Sequence, residues 1–413
     1  MYTDYMNLIG HLDSDCFYVS AERVRFPALR GQPVGVLGNQ GACVIAKSYE
    51  LKAAGVSTAM PIWDAAKLCP QAIFIKRDFR WYEMLSRKLL SLLKTVSPKV
   101  EYYSIDEMFF DADELAHTFG CPIQQAVEKL QQKVLHEIGI PVSIGVSKSR
   151  TLAKLGSDAA KPFGYHVLLE EQSIEQFLKT QPVEEMSGIG KKSQAKLAQH
   201  NIINCYEFAQ ADFKFIRKLL TIKGETLWWE LHSEPVTPIQ TSRPSHKAIS
   251  RGGSLGVATA DTNRLAGWSA RNTERLVEEL DYYQVFAKRL AMMLQFKDGG
   301  GWSGCIIFPE PTARFSVLLS AVKQMLAAAN INQRVSHMHL LAEKLSFRQT
   351  VQNLLFEGNP NSPIDRAAAI KQQINKKMGR FALRSAETLH LPDIYNDKTN
   401  EYDICDVHGK MCF

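Results

Sequence analysis

Three acidic residues stand out because each borders an apolar, β-prone segment. Asp13 lies in the segment HLDSDCFY, and the pair Asp106 and Glu107 lies in the segment YSIDE. A free carboxylate is unfavourable near an apolar core, so such groups usually have a partner, and hard divalent cations prefer carboxylate oxygen. Three carboxylates brought together from two strands could hold two Mg²⁺ ions for an in-line phosphoryl or nucleotidyl transfer.

The same spacing also has a purely structural interpretation. Asp13 could be a solvated loop acid, and the pair at 106 and 107 could cap a strand or form salt bridges. Because single motifs have many false positives, spacing alone leaves both interpretations open.

Four sequence blocks in a fixed order carry a family resemblance. The segments HLDSDCFYVSAE and YSIDE resemble the two active-site motifs of the Y-family, or translesion, DNA polymerases. Residues 42–56 resemble the nucleotide-binding segment of that family's fingers, and residues 145–164 resemble the end of its palm. The residues of the fingers block and of the C-terminal third are most similar to the UmuC-type catalytic subunit of bacterial error-prone polymerases.

The resemblance implies an α+β, multidomain, right-hand polymerase. Mixed strands and helices in the first 165 or so residues, followed by helices, agree with this fold class. A β-α-β-β-α-β order beyond residue 248 predicts a split-βαβ little finger. The expected domains are a palm (1–28 and 78–166), fingers (29–77), a helical thumb with a helix-hairpin-helix (167–235), a linker (236–247), a little finger (248–348) and a C-terminal clamp-binding and partner segment (349–413).

The resemblance also assigns roles to the acidic residues. Asp13, Asp106 and Glu107 match the family's catalytic, metal-binding carboxylates, and Ser14 matches the position whose backbone carbonyl completes the metal shell. Neighbouring residues on a regular strand point to opposite faces, so Asp106 and Glu107 can serve one site only if the chain turns there. A hairpin around Ile105 and Asp106 would supply that turn. Two Mg²⁺ ions are the implied cofactors.

Residues around the incoming nucleotide follow from the same motifs. Tyr18 aligns with the family's steric gate, a ring that leaves no space for a ribose 2′-hydroxyl. Phe17, also a candidate at the substrate, fits a core position better. Ile45 and Ala46 would lie over the nascent base pair, where slim side chains leave space for damaged templates.

Three further residues match triphosphate-binding positions: Tyr49, Lys52 and Lys161. Many relatives carry Arg at the second of these positions, so a compact ammonium here replaces a bidentate guanidinium. A solvated surface lysine is the alternative for Lys52 and Lys161.

The segment from Pro182 resembles a helix-hairpin-helix. Gly188 and Gly190 allow a tight turn whose backbone N–H groups can approach DNA phosphates, and Lys191 and Lys192 follow at the helix start. A plain helix-to-helix turn is the alternative.

Two C-terminal segments suggest protein partners. Gln352, Leu355 and Phe356 resemble the peptide by which bacterial polymerases hold the sliding clamp, although a helix end with buried side chains is the alternative. Residues 365–387 resemble the segment that UmuC-like proteins link to accessory subunits. The implied partners are primer-template DNA, dNTP, a sliding clamp, a UmuD-type accessory subunit and a recombinase filament.

Composition agrees with a nucleic-acid partner. The 413 residues have a formal net charge of +6, and residues 241–350 hold 14 Lys and Arg against 8 Asp and Glu. No apolar run approaches the roughly 18 residues of a membrane span. Eight scattered cysteines, including Cys405 and Cys412 beside His408, are typical of reduced thiols, so a cytoplasmic protein without a membrane partner is expected.

These observations favour an error-prone, DNA-directed DNA polymerase that performs translesion synthesis by two-metal nucleotidyl transfer, in DNA repair and the SOS response. The main alternative is a catalytically inactive, clamp-binding adaptor of a mutagenic polymerase complex. Retention of Asp13, Asp106 and Glu107 argues against that adaptor. A DNA-repair scaffold that uses only the helix-hairpin-helix would leave these acids and Tyr18 without a role.

Overall fold

A computed structural model describes residues 7–38, 43–242, 245–347, 363–378 and 382–391. The chain divides between residues 243 and 244 into two compact units. The elements of the first unit are β1 (Ile9–Ser14), α1 (Phe17–Arg25), β2 (Val34–Leu37), β3 (Val44–Lys47), α2 (Tyr49–Ala53), α3 (Ile62–Leu68), β4 (Ile73–Lys76), α4 (Phe79–Leu93), β5 (Val100–Tyr102), β6 (Glu107–Asp111), α5 (Leu115–Phe119), α6 (Ile123–Ile138), β7 (Val142–Ser147), α7 (Arg150–Ala159), β8 (Tyr165–Leu168), α8 (Glu171–Thr180), α9 (Lys191–Ala198), α10 (Cys205–Gln210) and α11 (Phe213–Leu231).

The centre of the first unit is a five-stranded sheet in the order β5-β6-β1-β7-β8. Strand β1 pairs antiparallel with both β6 and β7. Side chains alternate along a strand, so Leu12 enters the large apolar core that α4 and α6 complete. His11 and Asp13 therefore face the opposite side of the sheet, where they contact Ser157 of α7 and Lys161 just after it.

Helix α7 lies unusually close to the sheet because Gly145 of β7 has no side chain. A Cβ atom at Gly145 would lie 1.9 Å from the carbonyl oxygen of Ala153 and 2.5 Å from the backbone nitrogen of Ser157. The helix begins at Ser149, whose hydroxyl accepts a hydrogen bond from the N–H of Leu152. The close approach of α7 to Gly145 fixes the distance between this helix and the acidic end of β1.

A smaller sheet and a group of helices complete the first unit. The three-stranded sheet has the order β3-β2-β4 and its own apolar core, which includes Val44 and Leu51. Helices α8 to α11 share a separate core around Phe208. Helix α7 connects to this helical group, because the backbone N–H of Thr151 donates to the carboxylate of Glu230 at 2.9 Å.

The second unit is a four-stranded antiparallel sheet with helices on one face. Its elements are β9 (Ala248–Thr259), α12 (Thr262–Tyr282), β10 (Val285–Phe296), β11 (Gly301–Thr312), α13 (Phe315–Ala328), β12 (Val335–Phe347) and α14 (Pro363–Met378). The sheet order is β11-β10-β12-β9, and the predicted β-α-β-β-α-β order is confirmed. A 3₁₀ turn at Ala386–His390 packs on α12, and Leu391 is buried in the core of this unit.

Candidate active site

The backbone brings the three acidic residues to one end of β1 and β6. Asp13 lies directly opposite Glu107 in the antiparallel ladder. The N–H of Ser14 donates to the carbonyl oxygen of Asp106 at 2.9 Å, and the N–H of Ser104 closes the turn by donating to the carbonyl oxygen of Glu107 at 3.0 Å. The chain turns just before β6, as the sequence requires if Asp106 and Glu107 are to serve one site.

Ser104 orients this turn, and sequence analysis did not assign it a role. Its hydroxyl oxygen accepts a hydrogen bond from the N–H of Glu107 at 3.0 Å, and its hydroxyl donates to the carboxylate of Asp106. A serine two residues before an aspartate in a turn is a recognisable local signal, since Ser side chains often bond to backbone groups two or three residues ahead.

Burial makes Asp13 and Asp106 costly to ionise. Desolvation raises the pKa of Asp13 to about 7, partly opposed by Lys161 and reinforced by the charges of Glu107 and Asp106. Burial likewise raises the pKa of Asp106, and the negative charge of Glu107 adds to the effect. The negative charge of Glu107 therefore raises the pKa of both Asp13 and Asp106.

Two lysines on the α7 side neutralise these charges. Lys161 donates to Asp13 at 2.7 Å and to Asp158 at 2.7 Å, and Lys154 donates to Glu107. Within the described ranges, no three His, Cys, Asp or Glu side chains are already grouped to hold a metal ion. The carboxylates of Asp13 and Glu107 instead contact lysines, and the carboxylate of Asp106 accepts from the Ser104 hydroxyl.

The donor set nevertheless fits hard divalent cations. Carboxylate oxygens are the ligands that Mg²⁺ and Ca²⁺ prefer, and Asp13, Asp106 and Glu107 supply them from one strand pair and its turn. Among the described residues, the buried Ser14 Oγ and His11 Nε2 have no hydrogen-bond partner. His11 Nε2 lies 4.0 Å from Glu107 Oε1, and burial lowers the pKa of His11, which favours its neutral form.

Asp15 is a structural acid beside the site. Its carboxylate accepts hydrogen bonds from the N–H of Phe163 at 2.7 Å, the hydroxyl of Ser143 at 3.0 Å and the hydroxyl of Tyr49 at 3.4 Å. These bonds occupy its oxygens and tie three segments together. Asp15 therefore positions the chain around Asp13.

Tyr18 lies at the start of α1, directly after the acidic strand. Cys16 adopts a left-handed conformation with φ 46°, which turns the chain from β1 into the helix. The ring of Tyr18 stacks on Tyr82 with a centroid distance of 4.6 Å and an interplanar angle of 16°. Phe17 is 3% exposed and belongs to the apolar core, whereas Tyr18 is half-buried.

The other residues predicted to bind the nucleotide lie on β3, on α2 and after α7. Ile45 and Ala46 of β3 are half-buried against the same core as Tyr18. Tyr49 begins α2, and burial together with the nearby charge of Asp15 raises the pKa of its hydroxyl. Lys52 follows one turn later on α2 and is exposed. Lys161 is the residue of this group that directly contacts the acidic triplet.

The predicted helix-hairpin-helix forms a turn into α9. Gly188 has φ 103°, a conformation that favours glycine, and Gly190 is the N-cap of α9 without a side-chain capping bond. Lys191 and Lys192 are exposed in the first turn of that helix. The backbone N–H groups at this end are thus accompanied by two cations.

Several predictions fall outside the described residues. Gln352, Leu355 and Phe356, and the tail with Cys405, His408 and Cys412, belong to this part of the chain. The six cysteines that are described are free thiols. Of the helices in the described ranges, none has the length and hydropathy to cross a bilayer.

Comparison with known protein families gives two matches. Residues 12–158 match the impB/mucB/samB family, and residues 246–355 match the impB/mucB/samB family C-terminal domain. DNA polymerase IV 1 of Bacillus subtilis (strain 168) is 28% identical over 390 residues, which cover 92% of this chain and 93% of that protein. DNA polymerase IV 2 of Mesorhizobium japonicum is 31% identical over 311 residues, which cover 75% of this chain and 74% of that protein.

Solved structures show the same fold. A Y-family DNA polymerase chimera of Dbh and Dpo4 matches with a TM-score of 0.69 and 21% identity, covering 82% of this chain and 99% of that one. An insertion ternary complex of Dbh DNA polymerase matches with a TM-score of 0.54 over the same shares of the two chains. The fold is that of a Y-family polymerase with palm, fingers, thumb and little finger.

The chain belongs to the impB/mucB/samB family, the translesion polymerases of the Y family. The relatives cited above are named DNA polymerase IV, and a closer similarity to the UmuC-type subunit stays a prediction.

Proposed function

We propose that this Y-family protein is an error-prone, DNA-directed DNA polymerase that performs translesion synthesis by nucleotidyl transfer, in DNA repair and the SOS response. The observation that carries the proposal is the pairing of Asp13 with Glu107, with Asp106 in the adjoining turn. Relatives named DNA polymerase IV support it, because these names describe DNA polymerases. No finding favours the inactive adaptor.

The acidic triplet would hold divalent cations, and we propose two Mg²⁺ ions. Asp13, Asp106 and Glu107 would provide the carboxylates, and the backbone carbonyl of Ser14 would complete the shell. Such ions, when bound, lower the pKa of the primer 3′-hydroxyl and neutralise charge on the triphosphate. The protein contributes the fixed strand pair and the turn that Ser104 orients.

Nucleotide selection would fall to residues around this triplet. Tyr18, backed by Tyr82, would lie beneath the incoming sugar and exclude a 2′-hydroxyl by collision. Lys161, Lys52 and Tyr49 would orient the triphosphate. Ile45 and Ala46 would cover the nascent base pair, and their modest size would tolerate a damaged template.

The DNA itself would be held by the thumb and the little finger. Gly188, Gly190, Lys191 and Lys192 would contact backbone phosphates at the start of α9. We propose the domain limits given by the sequence: palm 1–28 and 78–166, fingers 29–77, thumb 167–235, linker 236–247 and little finger 248–348.

Protein partners would act through the segment after the little finger. We propose that Gln352, Leu355 and Phe356 bind a sliding clamp. We propose a UmuD-type accessory subunit as the partner of residues 365–387, and a recombinase filament as a further partner without an assigned segment. We propose that the protein acts in the cytoplasm, where its proposed DNA and nucleotide substrates are present.

Primer extension across a single abasic site tests the proposed function. The full chain should extend a primer opposite and beyond the abasic template position when Mg²⁺ and all four dNTPs are present. An undamaged template of the same sequence serves as the control for polymerase activity. Extension that always stops before the abasic position, with normal synthesis on the control, would contradict translesion synthesis.

A further inference from the structure

An alternating chain of charged side chains connects the two strands of the acidic site. Lys161 lies 2.7 Å from both Asp13 Oδ2 and Asp158 Oδ1. On the other side, Lys154 Nζ contacts Glu107 and lies 3.6 Å from Asp158 Oδ2. Asp158 thus stands between two lysines, each of which also binds one acid of the proposed metal site.

Lys154 and Asp158 lie on one face of α7, because they are four residues apart in the helix. Lys161 lies two residues beyond the end of α7, and its ammonium group reaches the carboxylate of Asp158 at 2.7 Å. The close packing of α7 on Gly145 holds this face against β1 and β6. Side-chain exposures of 15%, 26% and 29% show that the network is shielded from solvent but reachable.

Each lysine consequently has two carboxylate partners, one at the site and one outside it. Lys154 and Lys161 would lose Glu107 and Asp13 as partners if these two carboxylates bound a divalent cation. An ammonium left without a partner in a partly buried position is unfavourable. Asp158 already lies within 3.6 Å of both, so it can receive them after small side-chain movements.

We propose that Asp158 is a positioning residue that receives Lys154 and Lys161 when divalent cations occupy the acidic triplet. The lysines stabilise the metal-free site by pairing with Glu107 and Asp13, and Asp158 lowers the free energy needed to release them. After release Lys161 retains its bond to Asp158 and faces the cation-bound site, where a triphosphate is expected. This inference rests on the proposed metal-binding role of Asp13, Asp106 and Glu107.

Calorimetric titration of Mn²⁺ into the full chain, without DNA or dNTP, tests the proposal. Asp158→Asn should weaken binding by about tenfold, since charge coupling within one network is typically worth a factor of that size. Lys154→Met should strengthen binding several-fold, because one competitor for Glu107 is gone, and should lower the melting temperature in EDTA. Glu175→Gln breaks an exposed 2.7 Å ion pair with Lys179 on α8 and is the matched control without effect on Mn²⁺ affinity.

The double variant Lys154→Met/Asp158→Asn distinguishes the transfer of the lysines to Asp158 from a general effect of losing one negative charge. With Lys154→Met in place, Asp158→Asn should weaken Mn²⁺ binding by clearly less than in the wild type. Equal effects in both backgrounds, or wild-type affinity in Asp158→Asn, would overturn the proposal. Failure of the proposed function looks different: the wild type would then bind no Mn²⁺, or would bind it as tightly after Asp13→Asn.

Discussion

The orientation of the Tyr18 ring depends on a short aromatic stack. Tyr82 lies parallel to it at 4.6 Å, and the hydroxyl of Tyr82 donates to the buried carboxylate of Glu22 at 2.7 Å. A ring fixed from behind in this way is suited to rejecting a larger sugar, because it cannot move aside without breaking a buried contact.

Tyr18→Ala should therefore admit ribonucleotides. We expect the preference for dNTP over rNTP to fall by roughly 100-fold, since the collision with the 2′-hydroxyl disappears. Single-nucleotide primer extension with each nucleotide measures it, and Tyr18→Phe is the control that keeps the ring. Unchanged discrimination in Tyr18→Ala would refute the steric-gate assignment.

The protonation of Asp13 gives a second prediction at this scale. Burial raises the pKa of Asp13 to about 7 in the folded chain, whereas an unfolded Asp has a pKa of about 3.9. The folded state therefore binds more protons between these values, and stability is lost as the pH rises towards 7. In EDTA, the free energy of unfolding should fall as the pH rises, and Asp13 should contribute up to about 1.4 kcal/mol per pH unit to this fall.

Asp13→Asn isolates this effect from the other titrating groups. Urea unfolding at several pH values between about 5 and 7 gives the free energy of unfolding at each pH. This free energy should fall less steeply with rising pH for Asp13→Asn than for the wild type. Parallel slopes for the two proteins would show that Asp13 is not the group that titrates.

The sequence predicts the three acidic residues of the site but not the charged residues that contact them. Asp13, Asp106 and Glu107 were found because their motifs are contiguous and the chain had to turn between the last two. Lys154 and Asp158 were missed because their importance lies in contacts across the sheet, which no local pattern encodes. The spacing of four residues between Lys154 and Asp158 was the available signal.

At the scale of elements, the packing of α7 on β7 determines the positions of Lys154 and Lys161. Gly145→Ala would place a methyl group 1.9 Å from the carbonyl oxygen of Ala153, so the helix must move or the strand must bend. We expect a loss of about 1–3 kcal/mol in the free energy of unfolding, the usual effect of overpacking. Chemical denaturation measures this loss.

Gly190→Ala is the matched control for this prediction. A Cβ atom at Gly190 meets no atom within 4 Å, and its φ of −89° suits any residue. Its effect on stability should stay below about 1 kcal/mol, because it replaces an N-cap glycine without overpacking. A Gly145→Ala variant as stable as this control would show that the close approach is not required.

Element types were easier to predict than element ends. The β-α-β-β-α-β order of the second unit was correct, but strand β11 extends over Gly301–Thr312 even though this segment contains Gly304, Pro309 and Pro311. Its glycines and prolines are typical turn residues, and pairing along β10 overrides that local preference.

At the scale of the whole molecule, attachment to a sliding clamp should affect processivity and not the chemical step. Replacing Gln352, Leu355 and Phe356 together by Ala should abolish clamp-stimulated synthesis while leaving single-nucleotide insertion without the clamp unchanged. Primer extension with and without loaded clamp measures both. The same stimulation in the variant would show that the clamp binds elsewhere.

The central claim concerns the three acids at the end of β1 and β6, and single-turnover insertion of one correct dNTP with Mg²⁺ tests it most directly. Asp106→Asn keeps the shape of the side chain and the turn but removes one carboxylate charge, so the rate should fall by about 10³-fold or more while primer-template affinity is retained. An insertion rate within about tenfold of the wild type would contradict a catalytic role for this site.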